Sequence, residues 1–322
     1  MKVMITGVTG QDGFYLSETL LKRGCTVVGT SRNISDALSE NLLSLKEYRT
    51  FQFQMLDLYD PKSVLSFIQA HKPDAICHLA SMSSVGKSFK FPVETVNSCT
   101  VPTLYLLEAI KQVQPSIKMI HTASSECFGD QITPITEESV FAPASPYGVG
   151  KTSAAQLVQL YARAYSLAVA NVYLFNHESH LRGDDFVVKK LIRHAFTCKH
   201  DAPTQLRYGN LQVERDWGSA RLYMEYLVEI LFDDLSTDYV IGSGIRHRLE
   251  DFAEHIFAYF GLSKDKLVIS DQSLFRPAEL RGSVADPGKF IKRFGLIPAT
   301  DLRDLAHGIC REYEDTMLKK GT

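Results

Sequence analysis

Tyr147 and Lys151 stand four residues apart in YGVGK, within a stretch of helical apolar spacing, so their side chains share one face. An ammonium held beside a phenol favours the phenolate, which turns a tyrosine into a usable acid/base near neutral pH. Ser124 adds a hydroxyl from the end of a β-branched run, the edge of a parallel sheet where ligands collect. Two residues on, in ASSECFG, stands Glu126. A simple carbonyl reduction has no duty for such a carboxylate. It is placed either to take a proton from a carbon beside a newly formed ketone, as an elimination requires, or merely to cap a turn. Ser124, Glu126, Tyr147 and Lys151 are the candidate catalytic set.

A redox role for that set needs a hydride carrier, and the start of the chain offers a place for one. Gly7, Gly10 and Gly13 in GVTGQDG follow the first strand and open a helix, with Gln11 and Asp12 in the turn between. Gly7 permits the tight turn, Gly10 lets the backbone approach a pyrophosphate, and Gly13 lets helix and strand pack closely. The spacing GxxGxxG departs from the ordinary dinucleotide fingerprint. Gly29, Thr30, Ser31 and Arg32 end the second strand without a carboxylate, so NADP is the expected cofactor, with Arg32 on its 2′-phosphate. Asp57 and Leu58, after the third strand, are placed at the adenine edge, though Asp57 suits a turn cap nearly as well.

The elements that must position these residues follow from apolar periodicity. Strands are expected near Lys2–Thr6, Thr26–Thr30, Thr50–Gln54, Ala75–Leu79, Lys118–Ala123 and Val169–Leu174. Helices are expected at Tyr15–Lys22, Lys62–Ala70, Val101–Gln112 and Tyr147–Ala164. Asp60 followed by Pro61 reads as an N-cap with a first-turn proline. This alternation predicts an α/β fold, a Rossmann-type doubly wound parallel sheet, with a smaller mixed α/β substrate-binding lobe. Residues 1–175 are expected to form the NADP-binding domain with the catalytic residues. Residues 176–322, with helices at Phe186–Lys199, Ser219–Phe232, Leu249–Phe260 and Leu302–Thr316, mainly form the second lobe, and the chain re-enters the first domain. The polar segment Arg32–Lys46 reads either as a solvent-facing loop with a short helix or as a contact to cofactor or subunit.

Composition narrows the partners. Among 322 residues, 35 basic and 37 acidic side chains nearly cancel, which disfavours nucleic acid as the main partner. Six cysteines, none in a CxxC pair, read as buried thiols of a cytoplasmic enzyme, and no stretch suits a membrane span. Neither histidines nor cysteines are spaced as a metal-ligand set.

TGVTGQDG, ASSE, SPYGVGK, FNHES followed by Arg182-Gly183, YGNL with Arg215-Asp216-Trp217, and Phe275-Arg276-Pro277-Ala278-Glu279 together resemble the extended short-chain dehydrogenase/reductases. Within them the chain is most similar to the GDP-mannose 4,6-dehydratase family. The resemblance implies oxidation at C4, loss of water across C5 and C6, and reduction at C6, giving a GDP-4-keto-6-deoxy sugar. It places Ser124 in the role of the family's threonine and Glu126 as the base. It also implies that Asn176, Lys190, Arg193, Asn210, Arg215, Arg276 and Glu279 hold a GDP-linked sugar. A homodimer or homotetramer is expected, because Val101–Gln112 and Tyr147–Ala164 carry apolar residues on more than one face, which in the family accompanies pairing of these helices. The chain departs from the family at Asn33, Met82, Ser84 and Cys99, with Lys87 close behind. Several of these border the expected sugar pocket and leave the sugar open: a GDP-linked heptose, a 4-ketoreductase or an epimerase are the alternatives.

Overall fold

The computed structural model describes residues 1–33, 40–131 and 133–320. Its first half runs β1 (Lys2–Thr6), α1 (Gln11–Lys22), β2 (Thr26–Ser31), α2 (Glu40–Leu45), β3 (Phe51–Met55), α3 (Pro61–His71), β4 (Ala75–His78), α4 (Val85–Ser88), α5 (Pro92–Val113), β5 (Lys118–Ser124), α6 (Pro146–Tyr165) and β6 (Val169–Leu174). The second half continues with β7 (Asn176–Glu178), α7 (Val187–His200), β8 (Leu206–Tyr208), β9 (Glu214–Arg215), β10 (Trp217–Ser219), α8 (Ala220–Phe232) and β11 (Tyr239–Ile241). It closes with β12 (His247–Arg248), α9 (Leu249–Tyr259), α10 (Lys264–Leu267), β13 (Val268–Ser270), α11 (Gly288–Phe294) and α12 (Leu302–Lys320).

Seven strands form the main sheet in the order β11-β6-β5-β4-β1-β2-β3, every neighbouring pair parallel. Successive side chains of a strand point to opposite faces. Val3 and Ile5 accordingly pack with Leu16 and Leu20 of α1 and Tyr223 and Leu227 of α8. Met4 packs on the other side with Ile68 of α3, Ile110 of α5 and Val158 of α6. Both faces are covered, which is why these strands read as unbroken apolar runs. The strand order reverses at β1, which has β4 on one side and β2 on the other. At such a switch point the carboxyl ends of the strands splay apart and leave a crevice.

The expected first-half strands and helices all form, with edges moved by a few residues except in one case. α5 begins at Pro92, nine residues ahead of the predicted Val101. Pro102 lies inside it, and a proline breaks the sequence pattern because it lacks the N–H a helix interior needs and crowds the preceding turn. Packing overrides that penalty: Thr95, Ser98, Cys99, Leu106 and Ile110 of this helix are buried. α3 starts as expected, the Asp60 carboxylate accepting from the Lys62 N–H at 3.0 Å with Pro61 in the first turn. Of the polar segment Arg32–Lys46, residues 34–39 lie outside the described residues. Its later part forms α2, whose Leu42 and Leu45 are buried against the α1 side of the sheet.

The second lobe has its own core, where Ile192 of α7, Phe252 and Ile256 of α9, Ile309 of α12 and Trp217 meet. Its strands are short pairs: β7 with β10, β8 with β13, and β9 antiparallel to β12. β11 returns to the main sheet beside β6. The buried Asp216 carboxylate accepts from the N–H groups of Ser243 (2.7 Å), Gly244 (2.9 Å) and Ala285 (3.0 Å), pinning three segments of this half together. No helix among the described residues is long and apolar enough to cross a membrane.

α6 opens where the Ser145 hydroxyl accepts from the Gly148 N–H at 3.0 Å, fixing the first turn that holds Tyr147. Ser145→Ala should lower unfolding stability by about 1 kcal/mol. Urea titration followed by circular dichroism should show a lower midpoint with an unchanged slope, and an unchanged midpoint would mean that packing alone fixes this turn.

Candidate active site

The Ser145 cap and four-residue spacing turn Tyr147 and Lys151 toward the carboxyl end of β5. Lys151, only 4% exposed, donates from Nζ to the Thr122 carbonyl at 2.7 Å. Ser124 ends β5, and its Oγ accepts from the Glu126 N–H at 3.2 Å, starting a single 3-10 turn over Ser125–Cys127. The hydroxyl of Ser124 is therefore the cap of this turn, and the Glu126 carboxylate faces the cleft instead. Ser124, Glu126, Tyr147 and Lys151 all line one cleft of about 1040 Å³ between the sheet edge and the second lobe. That is at the upper end of the size of small-molecule clefts.

Burial dominates the electrostatics of these groups. Burial pushes the Tyr147 phenol well above its ordinary range, reinforced by Cys99, Cys127 and Glu126, while a hydrogen bond with Ser124 pulls the other way. Burial also pushes the Lys151 ammonium down, opposed by Cys99, Cys127 and Asp12. Desolvation is the largest influence on the Tyr147 phenol, and the Lys151 ammonium beside it is engaged by a backbone carbonyl. Burial raises the Glu126 carboxyl as well, with Arg215 and Arg276 opposing and Glu279 reinforcing.

The residues expected on a GDP-linked sugar gather around the same cleft. Asn176 on β7, Lys190 and Arg193 on α7, Asn210, Arg215, Arg276 and Glu279 all line it. Arg215 is 5% exposed, and its Nη1 donates to the carbonyls of Glu214 (2.8 Å) and Leu280 (3.1 Å), which fixes the guanidinium plane. Arg276 lies 3.9 Å from Glu279. Lys190 and Arg193 are exposed on one face of α7, Arg193 lying 3.6 Å from Asp184. Asn210 is partly engaged in its own turn, its Oδ1 accepting from the Gln212 N–H at 2.9 Å.

The glycine loop fits a dinucleotide. Gly7 has φ +75, and a Cβ on Gly13 would lie 2.4 Å from the Gly7 carbonyl oxygen, so close packing of helix on loop requires glycine at both. A Cβ on Gly10 would meet nothing nearer than 3.5 Å, which leaves the outer side of the loop open to a phosphate. Gly10 is the N-cap of α1 and brings no side chain to its first turn, so the helix start keeps donors and positive potential for an anion. Asp12 reaches the cleft, whereas Gln11 is buried beneath it. Asp57 is exposed, and its carboxylate accepts from the Tyr59 N–H at 3.0 Å, the turn-cap arrangement; Leu58 is buried in the core beside α3.

Several cleft residues went without a role in the sequence reading. His177, Glu178 and Arg182 line the cleft just after Asn176, and Lys87 of α4 pairs with Asp185 across its mouth. The FNHES run and the following Arg182 were visible as a motif, and their adjacency to Asn176 was the available signal.

Comparisons with known proteins place this geometry. The family model for GDP-mannose 4,6 dehydratase matches residues 4–309. GDP-mannose 4,6 dehydratase 2 of Arabidopsis thaliana is 35% identical over 312 residues, covering 94% of this chain and 84% of that protein. GDP-mannose 4,6-dehydratase of Sinorhizobium fredii is 33% identical over 348 residues, covering 99% and 97%. Among solved structures, UDP-glucuronic acid 4-epimerase from Bacillus cereus, in complex with UDP-glucuronic acid and NAD, superposes with a TM-score of 0.87 at 23% identity, covering 98% of this chain and 100% of that one. That likeness shows the fold.

The expectation of NADP is corrected here. Of six similar solved structures described with a nicotinamide dinucleotide, five hold NAD and one, from Pseudomonas aeruginosa, holds NADPH. The physical reason is local. Arg32, the residue assigned to the 2′-phosphate, has its guanidinium carbon 5.5 Å from the centroid of the Tyr59 ring, and Asn33 follows it in place of a second cation. An absent carboxylate at the end of β2 was weak ground for NADP. The glycine loop, the serine, tyrosine and lysine at the sheet edge, and sequence similarity along nearly the whole length make one assignment: the chain belongs to the GDP-mannose 4,6-dehydratase family of nucleotide-sugar dehydratases and epimerases.

Proposed function

We propose that the protein removes water from a GDP-linked hexose of the mannose type, with NAD held on the glycine loop, to give the GDP-4-keto-6-deoxy sugar. The observation that carries this reading is the Glu126 carboxylate in the same cleft as Tyr147 and Lys151, freed from turn capping by Ser124. The relatives named for GDP-mannose support the choice of sugar nucleotide.

Gly7, Gly10, Gly13 and the first turn of α1 hold the dinucleotide, which when bound accepts hydride from C4 and returns it to C6. Tyr147, as phenolate, takes the C4 hydroxyl proton, steadied by the hydroxyl of Ser124. Lys151 supplies positive charge at the same place. The 4-ketone makes the C5 proton acidic. Glu126 removes it and passes it to the departing C6 hydroxyl, which leaves as water. Tyr147 then gives its proton to C5, and the charge balance of the site is restored. Arg215 and Arg276 lie on the diphosphate, with Lys190 and Arg193 toward its outer end and Asn176 at the sugar-facing side. Residues 1–175 serve the dinucleotide and the chemistry, and residues 176–322 mainly the sugar nucleotide.

Incubation with GDP-mannose and trace NAD should yield a product lighter by one water, seen by mass spectrometry. Unchanged mass with a changed sugar would instead indicate an epimerase, and consumption of stoichiometric reduced cofactor a ketoreductase.

Tyr147→Phe should block the first oxidation, whereas Glu126→Gln should allow it and then stall, slowed by about 10²–10⁴-fold in the elimination. Reduced-nicotinamide absorbance should rise on adding substrate to Glu126→Gln and stay flat in Tyr147→Phe. A base acts only when deprotonated, so the wild-type elimination should rise with pH through a value above the ordinary 4.5 of a glutamate, and Glu126→Gln should lack that limb. Full turnover by Glu126→Gln, with the usual solvent deuterium at C5, would remove Glu126 from the mechanism.

A dimer joined through α5 and α6 is the assembly these faces suit. Val93 of α5 and Val149, Leu160 and Tyr165 of α6 are large apolar side chains exposed on the single chain. Light scattering at micromolar concentration should give at least twice the 36.1 kDa chain mass, and a monomer mass would count against the pairing.

A further inference from the structure

The first turn of α1 is joined to the strand that carries Asn176 by a buried polar network. The His177 ring sits between two acceptors: Nε2 lies 3.1 Å from both oxygens of the Asp12 carboxylate, and Nδ1 lies 2.6 Å from the Phe175 carbonyl oxygen. A carbonyl oxygen only accepts, and an ionised carboxylate only accepts, so both ring nitrogens must carry hydrogen to satisfy both contacts. Gln11 adds two donations from Nε2, to Asp12 at 3.0 Å and to the His177 carbonyl at 3.3 Å. It also accepts from the Ser179 hydroxyl at 2.7 Å. His177 is 8% exposed and Ser179 4%. Four side chains thus lock the helix that receives the dinucleotide to the strand and turn that face the sugar nucleotide.

The arrangement also resolves a conflict of charge. Asp12 lies in the first turn of α1, where the dipole favours an anion, yet the same turn must receive a pyrophosphate. An uncompensated carboxylate there would repel it. We propose that His177 is a positioning residue, held as an imidazolium that neutralises Asp12 and clamps the dinucleotide helix to β7. This rests on the dinucleotide reading above, and no role for His177 enters that reading.

The surroundings are consistent with the charge. Burial works against the His177 cation, but the charge and hydrogen bond of Asp12 and the Phe175 carbonyl outweigh it and raise its pKa above the ordinary 6.5, with Arg182 opposing. Burial likewise opposes the Asp12 anion, and His177, Arg182 and Gln11 nevertheless hold its carboxyl well below the usual range. The other groups facing the pair are Glu178 on β7 itself, whose carboxyl burial pushes up, and Tyr223 of α8, whose ring centroid lies 5.5 Å away. Lys151 completes the set, since its ammonium feels the Asp12 charge. Loss of the proton on His177 would leave Asp12 bare toward both the pyrophosphate and Lys151.

The sign follows from linkage. A group whose pKa is raised in the folded, clamped state stabilises that state fully below its unfolded value, here 6.5, and the stabilisation is lost as pH rises through the raised value. NADH binding by the wild type should therefore weaken with rising pH through that region. His177→Gln, which fills the space without the charge, should weaken NADH binding about tenfold at pH 7 and flatten the pH dependence, as a lost charge-assisted hydrogen bond would. Asp12→Asn with His177→Gln should lose much less than the two single changes added together.

The decisive measurement needs no variant. Ring ¹⁵N chemical shifts of His177 in the wild-type protein at pH 7 should report both nitrogens protonated, and a neutral single tautomer would overturn the proposal. Unchanged NADH affinity and pH dependence in a folded His177→Gln would overturn it equally. A wild-type protein that binds no NADH would instead overturn the dinucleotide reading, and the ring shifts would still decide the state of His177.

Discussion

A buried ammonium at the carboxyl edge of a parallel sheet governs the rest of this structure. Lys151 is 4% exposed, and burial, which disfavours its charge, is offset in part by the Thr122 carbonyl of β5 accepting from it and by the charges of Cys99, Cys127 and Asp12. That carbonyl lies just past the end of the β4–β5 ladder, which stops at His78 opposite His121 while β5 continues beside β6 to Ser124. Gly150, beside Lys151, lets α6 approach α5 so closely that a Cβ there would lie 3.0 Å from the Cys99 Cβ. Sheet register, helix contact and the position of the reactive group are therefore one constraint. Shifting α6 along its axis would carry Tyr147 away from Ser124 and Lys151 away from its acceptor together.

Much of this was legible in the chain. The strands of the doubly wound sheet follow from apolar runs, and the cap at Asp60 followed from its identity and the proline after it. The positions of Ser124, Glu126, Tyr147 and Lys151 in one cleft followed from chain order and helical spacing. α5 begins at Pro92 rather than at the expected Val101, and its extra turns carry the buried Thr95, Ser98 and Cys99, small or polar side chains that give little apolar signal. Asp57 was ambiguous for a physical reason, since a short carboxylate after a strand serves a turn as readily as a ligand. The Arg32 argument failed differently. It inferred a phosphate from an absent carboxylate, and a cation resting near an aromatic ring at the surface satisfies the same sequence.

Periodicity cannot show compensation between charges distant in sequence. Asp12 and His177 are 165 residues apart, and each alone reads as an ordinary polar residue near a ligand loop. The same holds for Glu126, whose surroundings include Arg215, Arg276 and Glu279 from the second lobe. The chain places acid and base groups on the sheet edge, and for Glu126 the charges that oppose or reinforce its burial come from the second lobe. A mutation in the second lobe can thus alter chemistry without touching a reacting atom.

Tyr147 and Glu126 are both pushed toward their protonated forms, by burial above all, but their counterweights differ in kind. Glu126 is held down by two arginines, Arg215 and Arg276, which are the groups placed to meet a diphosphate. Phosphate charge arriving on them would weaken that hold, which makes the ionised Glu126 a stronger base and moves its working range to higher pH. Tyr147 is held down by the Ser124 hydroxyl, and positive charge arriving beside it would lower it further. Loading the two seats therefore moves the two groups apart: Tyr147 ionises more readily, and the Glu126 carboxylate, when ionised, is the stronger base. The first proton moves at C4 to Tyr147, and only the ketone formed there makes the C5 proton acidic enough for the Glu126 carboxylate to remove. Two groups shifted in the same direction by burial can in this way take different parts, set by which charges neighbour each one.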